Sequence, residues 1–90
     1  MIGKVVHKVP GGKLLKVTVE HDGKSILKAS ISGDFFIHPE DSVDRLEARL
    51  RDAKPLEVGK IVESSLSGAR LFGVDAKSIT DAILEAYGGV

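Results

Sequence analysis

Ninety residues suffice for one domain with one modest core, and are too few for a typical nucleotide-binding catalytic domain with a substrate pocket of its own. Thirteen basic residues balance 13 acidic ones and only 4% are aromatic, so the chain carries no broad electrostatic footprint for nucleic acid. There is no cysteine, which excludes disulfides, thiolate nucleophiles and Cys-based zinc or iron–sulfur ligation.

The N-terminal Met1-Ile2-Gly3-Lys4-Val5-Val6 has no long apolar run, and no stretch approaches the roughly 20 apolar residues that span a bilayer. The expectation is a cytoplasmic protein that contacts neither membrane nor nucleic acid. Val5-Val6-His7-Lys8-Val9 is a β-branched run closed by Pro10-Gly11-Gly12, which reads as a first strand and a turn. In the next segment Leu15, Val17 and Val19 alternate with Lys16, Thr18 and Glu20, the period-two pattern of a strand with one buried face. A two-residue turn at Asp22-Gly23 would pair Val17 with Lys28 and mix the faces. A three-residue loop, His21-Asp22-Gly23 with Gly23 left-handed, instead sets Val17 opposite Leu27 and Leu15 opposite Ala29, and is the expected hairpin.

The stretch Ile31-Ser32-Gly33-Asp34-Phe35-Phe36-Ile37-His38-Pro39 holds two of the four aromatic residues, adjacent to each other, at a strand-to-helix junction. Gly33 can take backbone angles closed to other residues, Asp34 offers an acceptor to nearby N–H groups, and Pro39 suits a first helical turn. Alternation predicts that only one of Phe35 and Phe36 points inward. Burying the other in a complex would contribute about 1.5–3 kcal/mol.

A first helix is expected from near Pro39. Glu40, Asp41 and Asp44 lie near its positive end, Arg49 and Arg51 near its negative end, and Val43, Leu46 and Leu50 form its apolar stripe. Pro55 separates it from a weaker second helix over Val58 to Ser67, whose face is Val58, Ile61, Val62 and Leu66. The third helix is capped by Asp75, presents Ile79, Ala82, Ile83, Ala86 and Tyr87 on one face, and ends at Gly88-Gly89. Strands first and helices afterwards indicate an α+β fold: an antiparallel sheet of about three strands with about three helices on one face, in a single domain over residues 1–90.

Little in the chain suggests catalysis. His7, His21 and His38 form no i, i+4 pair, and carboxylates around His38 are explained by the helix dipole, so structural roles are favoured over metal ligation. Pro10-Gly11-Gly12-Lys13 is shorter than a P-loop and enters a strand rather than a helix, so by itself it is a turn. No serine occupies a nucleophile elbow.

Gly11-Gly12-Lys13 opening a strand, Ile31 to Phe36 closing the sheet, Leu46-Glu47 and Leu50 on a helix, and Gly73-Val74-Asp75 before the last helix occur in that order. In this order they resemble the C-terminal accessory domain of lipoate–protein ligases, in the form in which that domain is a separate small subunit. Related folds in sulfur-transfer and iron–sulfur scaffold proteins rely on cysteine, which this chain lacks. The resemblance implies a non-catalytic subunit that docks on a catalytic ligase subunit and supports activation of lipoate to lipoyl-AMP. ATP, lipoate and Mg would be bound by that partner and none by this chain alone. The acyl group would pass to lipoyl domains of 2-oxoacid dehydrogenases or to the glycine-cleavage H protein. Gly12, Lys13, Gly33, Asp34, Phe35 and Phe36 are the expected interface or adenylation-supporting residues, with no catalytic residue and no metal ligand. An alternative is an interaction module that recruits the lipoyl-domain acceptor without a role in adenylation. The initiating Met1 and the extent of the match suggest a natural separate subunit rather than an excised domain.

Overall fold

A computed structural model describes residues 1–9, 11 and 13–88. Pro10 and Gly12 of the expected turn, and Gly89 of the expected helix end, lie outside the described residues. Three strands come first: β1 (Ile2–Val9), β2 (Lys13–His21) and β3 (Ile26–Gly33) form an antiparallel sheet in that order. Then follow β4 (Phe36–His38), α1 (Ser42–Leu50), α2 (Pro55–Leu66), β5 (Arg70–Phe72) and α3 (Ala76–Tyr87).

The period-two pattern places Val5, Val9, Leu15, Val17, Val19, Ala29 and Ile31 on one face of the sheet, where they meet the apolar faces of the helices. Leu46 and Leu50 come from α1, Val58, Val62 and Leu66 from α2, and Ile79, Ala82, Ile83 and Ala86 from α3. The α+β architecture with helices on one face of the sheet is therefore as the sequence indicates, although β5 interrupts the expected run of helices.

The hairpin register differs from the sequence expectation. Val17 pairs with Ile31 and Val19 with Ala29, and the loop spans the four residues Asp22 to Ser25. Asp22 Oδ1 accepts from the backbone N–H groups of both Lys24 and Ser25 at 2.8 Å, closing a wider turn than alternation alone suggested. Gly23 is left-handed, as expected (φ 86°). Between the pairs Glu20–Lys28 and His21–Ile26, Leu27 is an extra residue: a bulge that turns it outward, 51% exposed, while Ile26 stays buried. The loop's displacement moves the register by three residues and the Leu27 bulge by a fourth, so Val17 meets Ile31 instead of Leu27.

Helix α1 begins at Ser42, not Pro39; Pro39 lies outside it and its carbonyl accepts from Ser42 N at 3.0 Å. Helix α2 starts three residues earlier than expected, with Pro55 as its opening residue rather than a separator. Lys54 N donates to Glu57 Oε1 at 2.8 Å, half of a capping box that hydrophobic spacing does not reveal. Asp75 caps α3 by accepting from Ser78 N at 2.6 Å, and Gly88 closes it in a left-handed conformation.

The outer edge of β3 is covered from the helical layer. Glu47 Oε2 accepts from Ile31 N at 2.7 Å, Ala53 O accepts from Ile26 N at 2.8 Å, and Asp52 N donates to Ile26 O at 2.7 Å. Two histidines have structural partners. His7 Nε2 lies 2.6 Å from Glu85 Oε2, and buried His21 accepts from Gly23 N and stacks on Tyr87 at 4.3 Å.

Candidate functional site

The described residues singled out in the sequence converge at one end of the molecule, where β2 begins and β3 ends. Asp34 N donates to Leu14 O at 3.1 Å, holding the Gly33-Asp34 turn against the start of β2. A Cβ on Gly33 would stand 2.0 Å from Leu14 O and 2.9 Å from the Phe35 ring, so only glycine allows this approach. Lys13 is brought in from the other side: a Cβ on Gly73 would meet its Cγ at 2.4 Å, with Gly73 itself at φ 82°.

The short β4–β5 ribbon caps this end. Phe36 pairs with Phe72, Ile37 with Leu71 and His38 with Arg70. Ile37 is buried and ties the ribbon to the core, so its neighbours Phe36 and His38 point outward. Phe36 and Phe72 lie 6.1 Å apart between ring centroids, and Phe36 and His38 lie 6.5 Å apart. Phe35, by contrast, is partly buried against the core, giving the expected split between the two adjacent phenylalanines. With 50% of Phe36 and 54% of Phe72 exposed, the ribbon displays an apolar pair beside an imidazole.

Two features depart from the sequence reading. The Asp34 carboxylate accepts no hydrogen bond among the described residues, the turn being held instead by its backbone N–H. The aspartate that binds backbone amides is Asp22, whose carboxyl is held below its ordinary value of 3.8 chiefly by the Ser25 N–H and then the Lys24 N–H. Phe72 was missed. Its signal is the three-residue run Arg70-Leu71-Phe72 between Gly68 and Gly73, too short to distinguish from loop until its pairing partner is known.

Three grooves of about 210, 410 and 300 Å³ lie elsewhere, at the β3–α1 edge, between α2 and α3, and along α2, and none is lined by an aromatic residue. Among the described residues no group of three or more His, Cys, Asp or Glu is placed to hold a metal ion, and no helix is long and apolar enough to cross a membrane. What the arrangement can do chemically is present a glycine-tightened, aromatic-tipped face with one lysine beside it.

No family model matches the chain. It is 37% identical over 71 residues to the lipoate-protein ligase A subunit 2 of Thermoplasma acidophilum, covering 78% of this chain and 76% of that protein. This chain belongs to the lipoate–protein ligase A subunit 2 family. The fold agrees across nearly the full length. A chain from structural work on an archaeal lipoylation system, a bi-partite lipoate protein ligase and its E2 lipoyl domain from T. acidophilum, superposes with a TM-score of 0.80 at 32% identity. That match spans 97% of this family member and 94% of the other chain, so the β4–β5 ribbon and the Gly33 turn lie within a shared fold rather than on an appendage.

Proposed function

We propose that this chain is the non-catalytic accessory subunit of a two-component lipoate–protein ligase, working in the cytoplasm with a separate catalytic subunit. The observation that carries the reading is the match, over 97% of the chain, to a chain from work on a bi-partite ligase. The geometry on this chain supports it, since the converging residues offer an exposed apolar pair, Phe36 and Phe72, on a turn tightened at Gly33.

In the reaction, a lipoate carboxylate oxygen attacks the α-phosphorus of ATP, pyrophosphate leaves, and lipoyl-AMP forms. ATP, lipoate and Mg reside on the catalytic subunit. The accessory subunit docks through its aromatic end, with Phe36 and Phe72 supplying apolar contact area and Gly33, Asp34 and Phe35 holding the surface that presents them. Docking orders the partner's site, excludes water and holds the carboxylate in line with the α-phosphate. Lys13, fixed against Gly73 at the same end, adds a positive charge where the two chains meet. The activated acyl group then passes to a lysine of a lipoyl domain or of the glycine-cleavage H protein.

Lipoate-dependent ATP–pyrophosphate exchange by the catalytic subunit, with and without this chain, tests the reading. Exchange only with both chains is the expected result. Equal exchange by the catalytic subunit alone overturns a role in adenylation.

A further inference from the structure

The three-stranded sheet has helices on one face only, and its other face has a marked charge composition. Outward on β1 stand Ile2, Lys4, Val6 and Lys8; on β2, Leu14, Lys16, Thr18 and Glu20; and on β3, Lys28, Ser30 and Ser32. The register opposes Lys4 to Thr18, Val6 to Lys16 and Lys8 to Leu14. Lys4 and Lys8 are therefore both diagonal neighbours of Lys16, at about 7–8 Å. Glu20, the single acid on this face, is paired across to Lys28 and is a diagonal neighbour of Lys4, which leaves Lys8 and Lys16 without an acidic neighbour there. All four lysines are exposed, and none is in an ion pair among the described residues.

The asymmetry is not forced by composition. The chain as a whole is neutral, yet residues 1–33 contain six lysines and two acids, while residues 34–90 contain seven basic and eleven acidic residues. A face that needed only hydration would be served by mixed charge. A face with one acid among four lysines attracts an acidic partner and repels a basic one, and Lys4 and Lys8 each lie within one screening length of Lys16, about 10 Å at 0.1 M salt, so the fields of neighbouring lysines add.

We propose that this helix-free face is a docking surface for a folded domain with an acidic surface, and that the domain is the lipoyl acceptor; the identity of the occupant rests on the accessory-subunit reading. A standing subunit interface fits poorly, because lysine is depleted from interface cores and this face has no aromatic anchor. Its area is small. Three strands about 4.8 Å apart and about 26 Å long make a patch of about 370 Å², in the range of transient encounters rather than obligate assembly. An acceptor must arrive unmodified and leave acylated at every turnover, and electrostatic guidance by peripheral charges serves association rate without slowing release. The absence of aromatic side chains among the lysines also disfavours single-stranded nucleic acid, which needs stacking platforms. The chain thus carries two separate surfaces: an aromatic end for the catalytic subunit and a lysine face for the acceptor.

The test uses both subunits and a purified apo lipoyl domain. In the doubly reversed Lys4→Glu, Lys16→Glu variant, the KM for the lipoyl domain rises about tenfold or more at low salt. The kcat, subunit assembly and acceptor-free pyrophosphate exchange stay unchanged. The wild-type KM rises with salt, and the KM of the reversed variant does not. The neutral Lys4→Gln, Lys16→Gln variant falls between the two, and reversing acidic residues on the lipoyl domain to lysine restores the KM of the Glu variant. Direct titration of this chain with the lipoyl domain, followed by amide shifts, moves residues of β1 and β2. An unchanged KM overturns the proposal, as does loss of subunit assembly in the Glu variant or binding of RNA at the face in place of the lipoyl domain. Failure of the accessory role would appear separately, in the exchange reaction that contains no acceptor.

Discussion

Truncating the aromatic pair gives the sharpest test of how the subunit docks. Phe36 and Phe72 are 50% and 54% exposed, so roughly half of each ring remains to be buried by a partner. Full burial of a phenylalanine is worth about 1.5–3 kcal/mol, so half is about 0.7–1.5 kcal/mol per ring. At 1.4 kcal/mol per factor of ten, Phe36→Ala or Phe72→Ala weakens binding to the catalytic subunit by about 3–10-fold, and the double variant by about 10–100-fold. Calorimetric titration of the catalytic subunit reads this directly, at a temperature where circular dichroism shows every variant folded. Leu56→Ala is the control. Leu56 is 97% exposed at the start of α2, a 12-residue helix about 18 Å long whose far end leads to β5. Its truncation leaves the affinity unchanged. A double phenylalanine variant that binds within twofold of wild type, or a Leu56 variant that weakens as much, refutes docking through the ribbon.

Other expectations concern the frame that holds these surfaces. Ser42 is fully buried and its hydroxyl has no hydrogen-bond partner among the described residues, so Ser42→Ala removes a desolvation cost of about 1–3 kcal/mol; urea unfolding should show a gain, and a loss would mean the hydroxyl is satisfied. Asp75→Ala removes the α3 cap and lowers stability by about 1 kcal/mol, whereas Asp75→Ser keeps most of it; equal losses in thermal melts would argue against capping. Asp22 titrates below 3.8 because its ionised form accepts two backbone N–H bonds. The loop's stabilisation from this charge is complete above that ordinary value and fades as pH falls through the lowered native one. The Lys24 and Ser25 amide shifts, followed by NMR from neutral to acid pH, should have a midpoint below 3.8, and a midpoint at or above it contradicts the assignment.

Much of the frame is determined by local chemistry that a sequence displays. A β-branched run marks β1, alternation marks β2, the Ile79 to Ala86 spacing and the Asp75 and Gly88 caps mark α3, and each depends only on residues a few positions apart. The same holds for the Gly33-Asp34-Phe35-Phe36 junction, whose unusual composition announces a constraint without saying what imposes it. Tertiary structure alone decided the remainder. A longer loop, Asp22 to Ser25, and one extra residue, Leu27, together shifted the hairpin register, because loop and bulge are chosen by how both strands meet the core. The ribbon of β4 and β5 consists of two three-residue strands separated by two helices, so neither is recognisable until the fold brings them side by side. Phe72 becomes Phe36's partner, and Gly73 becomes Lys13's, only through that long-range closure. The lysine face is an intermediate case. Its residues are readable as the polar half of alternating strands, but the bare sheet face that gathers them exists because every helix packs on the opposite side.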